Sequence, residues 1–155
     1  MKVISGGQKG VDRIGLEVAR EAGIETGGTA PKDFWTEDGP DPSLKDFGLV
    51  EDLVRGYLPR TIKNVVDSDG TVLFGDMESA GSKRTIDFLI KYRKPYIKNP
   101  TAASLRDFLF DHKIQTLNVA GNRASKLIEA RKKAYATTLK LAFIYWKNPD
   151  LRIML

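Results

Sequence analysis

Short apolar runs that end in glycine recur along this chain, and helical periodicity fills the spaces between them. Few folds accommodate that alternation. Lys2-Val3-Ile4-Ser5 reads as a buried strand stopped by Gly6-Gly7. From Val11 the positions Val11, Ile14, Gly15, Val18, Ala19 and Ala22 recur at steps of three and four, and Gly23 stands where a helix C-cap belongs. Further strands are expected near 24–28, 71–75, 95–97 and 115–120. Helices are expected over about 82–92, 104–112 and 124–146, the last burying Leu127, Ala130, Ala134, Thr138, Leu141 and Tyr145. Residues 29–43, rich in Pro, Gly and Asp, read as a long loop of functional or mobile character. Within 44–60 the pattern is ambiguous, with a short helix around 49–54 as its reading. Strands alternating with helices predict an α/β, Rossmann-like three-layer sandwich, a mostly parallel sheet of about five strands with helices on both faces. With 155 residues and neither repeat nor linker, one domain over 1–155 is expected.

Composition removes several kinds of chemistry. There is no cysteine, so no thiolate nucleophile and no cysteine-based metal site, and the single His112 anchors no multi-histidine centre. The net charge of +5 is uneven: residues 121–155 hold 8 Lys+Arg against 2 Asp+Glu, leaving 17 against 18 in the rest. A basic terminal helix suits an anionic ligand or simply a solvated face, and without an arginine-rich run nucleic acid is disfavoured as a partner. No apolar run approaches membrane-spanning length and no signal peptide is visible, so a cytoplasmic location and no membrane partner are expected.

In parallel sheets the loops at the carboxyl ends of the strands form the ligand crevice. After the first strand come Gly6, Gly7, Gln8, Lys9, Gly10, Asp12 and Arg13, a glycine turn running into a helix start that suits a phosphate-sized anion. The turn lacks the first glycine of a dinucleotide fingerprint and the Gly-Lys-Ser/Thr of a Walker A loop. A tight turn that binds nothing is the alternative. After the third strand, Ser79, Gly81, Ser82 and Thr85 form a second small-residue cradle, with simple helix capping by Ser79 or Ser82 as its alternative. Gly121, Arg123 and Ser125 follow the fifth strand in the same manner. A small phosphorylated ligand is the expected occupant.

Four segments then become recognisable: Ile4-Ser5-Gly6-Gly7-Gln8-Lys9-Gly10-Val11-Asp12-Arg13; Ala30-Pro31-Lys32 with Glu37-Asp38-Gly39-Pro40; Arg60-Thr61 with Asn64-Val65 and 67–71; and 116–125. Together, over roughly residues 3–135, they resemble the "putative molybdenum carrier" family, which is YpsA-related and belongs to the SLOG superfamily with the LOG phosphoribohydrolases. The resemblance implies a binding or carrier protein for a nucleotide or the molybdenum cofactor, with a LOG-like nucleoside monophosphate hydrolase as the alternative. Two positions depart from it. Ala80-Gly81-Ser82 stands where relatives have Gly-Gly-Thr, and Thr85 occupies the place of the glutamate that serves LOG enzymes in glycosidic cleavage. With that acid missing, Asp38 and Asp69 are the remaining catalytic candidates, and no metal site is expected. Phe34 and Trp35 are candidates for stacking on a ring or for anchoring the loop. Apolar residues 143–146 and 151–155 exceed what one helix stripe buries, which suggests a homodimer.

Overall fold

In chain order the elements are β1 (Lys2–Ile4), α1 (Val11–Glu21), β2 (Glu25–Ala30), β3 (Trp35–Thr36), β4 (Gly39–Pro40), β5 (Leu49–Glu51), α2 (Tyr57–Asp67), β6 (Gly70–Phe74), α3 (Ala80–Lys91), β7 (Tyr96–Lys98), α4 (Ala102–Asp111), β8 (Thr116–Gly121) and α5 (Glu129–Lys147). They come from a computed structural model that describes residues 1–154, with side chains through Leu151. Six strands pair in the order β5-β2-β1-β8-β6-β7, every pairing parallel. The first and last strands are neighbours, with Lys2 opposite Thr116 and Ile4 opposite Asn118.

Helices on both faces explain why β6 is buried along its whole length. On one face Val72 and Phe74 pack with Val11, Leu105, Leu139 and Phe143 beneath α1, α4 and α5. On the other, Leu73 meets Val65 of α2 and Leu89 of α3. A third cluster of Leu16, Phe34, Leu44, Phe47 and Leu49 fastens residues 31–48 to the sheet. Phe143 has no exposed surface. Its replacement by alanine is expected to cost about 3–5 kcal/mol, read as a fall in the urea midpoint of unfolding.

The α/β architecture stands as expected, with six strands in the main sheet. Three local readings are corrected. Residues 29–43 are not structureless: β2 runs to Ala30, and the β3–β4 hairpin and two 3-10 turns fold the remainder over the sheet. Residues 49–54 form no helix; Leu49–Glu51 is an edge strand on β2, and α2 follows from Tyr57. The last helix starts at Glu129, because Ala124 donates its N–H to Lys9 O and Leu127 and Ile128 turn extended. Its buried stripe is Leu139, Ala142 and Phe143, and Leu141 lies exposed. Phe143 serves its own core rather than a partner, whereas Ile153, Met154 and Leu155 fall outside the described side chains.

Candidate functional site

All six strands run the same way, so the turns after β1, β6 and β8 meet at one edge. They meet the start of α2 there. Together they enclose a cleft of about 160 Å³, lined by Gln8 and Asp12, by Tyr57, Arg60 and Thr61, by Gly81, Ser82 and Thr85, and by Gly121 and Arg123. Beneath it a small hollow continues past Gly6 to Asn64 and Asn118. Asn64 anchors α2 by accepting the Thr29 N–H at 2.9 Å and donating to its carbonyl at 3.0 Å. Gly6 makes way for Arg60, since a Cβ there would run into the Arg60 guanidinium.

Arg60 and Asp12 form the floor as a buried pair, Nη1 to Oδ2 3.4 Å. Asp12 also accepts the Gln8 N–H at 3.2 Å. Burial pushes the Asp12 carboxyl above its usual value of 3.8, against the weaker pull of Arg60 and the Gln8 N–H, and burial likewise lowers Arg60. Between 3.8 and the raised value the folded chain binds more protons at Asp12 than the unfolded chain does. Its contribution to stability therefore falls as pH rises through that window. Asp52 behaves oppositely: a hydrogen bond from Lys63 lowers its pKa, and the stability it adds is lost as pH falls. Asp12→Asn removes only the first slope. The wild-type advantage over that variant, followed by urea unfolding, is expected to shrink with rising pH in the acidic range.

The amino end of α3 forms one wall. Ser79 caps it by accepting the Ser82 N–H at 3.3 Å, which leaves the N–H groups of Ala80 and Gly81 over. Three buried polar atoms of lining residues have no partner among the described residues: Ser82 Oγ, Arg60 Nε and Gln8 Oε1. Buried polar groups are almost always satisfied, so these three atoms are open to a hydrogen-bonding partner from outside the protein. Arg84 and Arg123 stand at the rim, the latter over the Tyr57 ring at 5.0 Å. Three guanidinium groups against one carboxylate make the cleft electropositive.

Of the residues named from the sequence, Gly6, Gln8, Asp12, Gly81, Ser82, Thr85, Gly121 and Arg123 come together around this cleft and its hollow. Others do not join them. Lys9 pairs with Asp38 at 3.0 Å, Arg13 donates to Asp41 and Ser43, and Ser125 is held by Glu37. Carboxylates of the 31–48 segment thus engage three groups expected to hold ligand. Gly7 has φ 73, and a Cβ there would press into Leu44 and Leu49. Ser79 is occupied as a cap and by Asn122 Nδ2. At the start of α1 the Val11 N–H already goes to Asn122 O and the Arg13 N–H to Gln8 O, so this turn supplies side chains rather than an open N–H cradle. Gly10 closes that turn against the chain after β8, bridged to Arg123. Asp69 lies at the opposite edge of the sheet, accepting the N–H groups of Gln115 and Thr116. Phe34 is a buried anchor, and Trp35 gives its carbonyl to Gln8 at 2.9 Å.

Sequence reasoning left Arg60, Tyr57 and Arg84 unassigned. Gly56 followed by Pro59 was the available signal, since proline is tolerated in a first helical turn and marks where α2 begins. Asn122 was also passed over. Its Oδ1 accepts the Asp76 N–H and its Nδ2 donates to Ser79, tying the β6 and β8 turns together.

The fold is that of a Rossmann-like protein with an electropositive cleft at its carboxyl edge. Residues 3–142 match the circularly permutated YpsA SLOG family, and the chain belongs to that family. A solved structure from Syntrophus aciditrophicus SB, described as a putative molybdenum carrier protein, is 34% identical, covers 92% of this chain and 94% of its own, and superposes with a TM-score of 0.76. No curated protein matches.

Proposed function

We propose that the chain binds and carries a phosphorylated heterocyclic ligand, a nucleotide or the molybdenum cofactor, with its phosphate in the carboxyl-edge cleft. The observation that carries this is the pair of unpartnered buried donors, Ser82 Oγ in a wall of that cleft and Arg60 Nε in its floor. Phosphate oxygens satisfy both, together with the free N–H groups at the start of α3. A cleft of about 160 Å³ takes the phosphate and its neighbouring atoms, which leaves the ring at the mouth beside Tyr57. The carrier named in the related Syntrophus structure agrees with such a cargo. Among the described residues no cluster of His, Asp and Glu could grip a bare cation. Molybdenum therefore fits as the centre of an anionic cargo held through its oxygen and phosphate atoms.

Hydrolysis is the second reading, and one observation favours it: Asp12, rather than Asp38 or Asp69, puts a carboxylate in the cleft. Two features oppose it. Arg60 neutralises that carboxylate, and Thr85 spends its hydroxyl on Gly81 O at 3.0 Å. Phosphate cradling alone binds ground and transition states alike and does not raise turnover. Incubation with AMP is expected to release no adenine by chromatography while AMP still binds. Release that vanishes in Asp12→Asn would promote the hydrolase.

A further inference from the structure

Across the same sheet edge, on the α5 side, a larger cavity of about 640 Å³ opens between the ends of β6 and β7 and the first turns of α5. Asn122 separates it from the cleft, bonded at once to Ser79 on one side and Asp76 on the other. One ring faces it: the partly exposed Tyr135 lies beside Leu127, 4.8 Å from the buried Phe74 ring at 30°. Lys126 and Arg131 line it, and neither has an ion-pair partner among the described residues. The carboxylate in the lining, Asp76, accepts the Glu78 N–H. Here too α5 begins, with Ile128 at its N-cap and no side chain to cap it. The basic excess of residues 121–155 thus includes two unpaired cations at a cavity of ligand size.

We infer that this cavity is a second binding site, for an anionic heterocycle of nucleotide size, with the ring over Tyr135 and the charged group on Lys126 and Arg131. Inorganic phosphate meets only half of that chemistry, since the Tyr135 ring rewards a second ring. The site is independent of the first cleft, because Asn122 walls the two apart and they share no cation.

Amide chemical shifts of the isotope-labelled protein, titrated with AMP, GMP and UMP and separately with inorganic phosphate, test it. At least one nucleotide is expected to shift the amides of 126–135, and phosphate to move them far less. In the double variant Lys126→Glu, Arg131→Glu the midpoint of that set is expected to rise roughly ten-fold or more, while the set at Gln8, Ser82 and Arg123 keeps its own. Lys126→Gln with Arg131→Gln repeats the comparison if charge reversal disturbs α5. Silence of 126–135 with every nucleotide, or a midpoint unchanged in both variants, overturns the proposal. Failure of the first cleft shows instead at Gln8, Ser82 and Arg123, so the two outcomes are distinguishable.

Discussion

Replacing Arg60 with methionine is expected to weaken binding of a phosphorylated ligand by more than about a hundred-fold and to cost about 3 kcal/mol of stability near neutral pH. The two losses have different causes. Affinity falls because the guanidinium is the buried cation of the cleft, with an ε N–H that nothing among the described residues accepts. Stability falls because Asp12 stays buried with the Gln8 N–H as its remaining donor, a half-broken ion pair being worse than none. Protonation of Asp12 limits that cost, so the loss is expected to shrink at acidic pH. Asp12→Asn together with Arg60→Met should recover most of the stability and none of the binding. Asp12→Asn alone leaves Arg60 uncompensated and is expected to tighten anion binding several-fold. Calorimetry and urea unfolding on the three variants separate these effects.

A comparably large effect is expected on the fold from Gly10→Val. Gly10 sits at φ 121, a conformation that side chains rarely adopt. A Cβ there would lie 2.6 Å from Ala124 N and 2.7 Å from Arg123 C, backbone that cannot step aside without breaking the bridge between the β1 and β8 turns. The expected cost exceeds about 4 kcal/mol, enough to unfold much of a marginally stable chain. Gly81→Ala is the matched control. Its Cβ meets nothing within 4 Å inside the first turn of α3, so helix propensity predicts a gain of roughly 0.5–1 kcal/mol in the same unfolding experiment.

What the sequence revealed and what it hid follow from the range of the interactions concerned. Strands such as Gly70–Phe74 and helices such as Val11–Glu21 announce themselves through local apolar spacing and glycine stops, and the parallel architecture follows from their alternation. The carboxyl edge as the place for a site followed in turn, which is why Gln8, Asp12, Ser82, Thr85 and Arg123, which line one cleft, were named together. Long-range pairing was invisible. Nothing near Lys9, Arg13 or Ser125 in sequence reveals that Asp38, Asp41 and Glu37 from one distant segment engage them. Arg60 escaped for a related reason: it lies 48 residues from Asp12, on a helix whose start was hidden by the apolar spacing of 49–54. The start of α5 was misplaced because a tertiary bond, Ala124 N–H to Lys9 O, outweighs the helical spacing that runs through it.

The carboxyl-edge cleft as a phosphate-ligand site is tested most directly by calorimetric titration of the intact chain and of Arg60→Met with nucleoside monophosphates and a phosphorylated pterin. One-to-one binding of at least one of these to the wild-type chain, lost in Arg60→Met, is the expected result. No heat from any of them, or equal affinity in wild type and Arg60→Met, would contradict it.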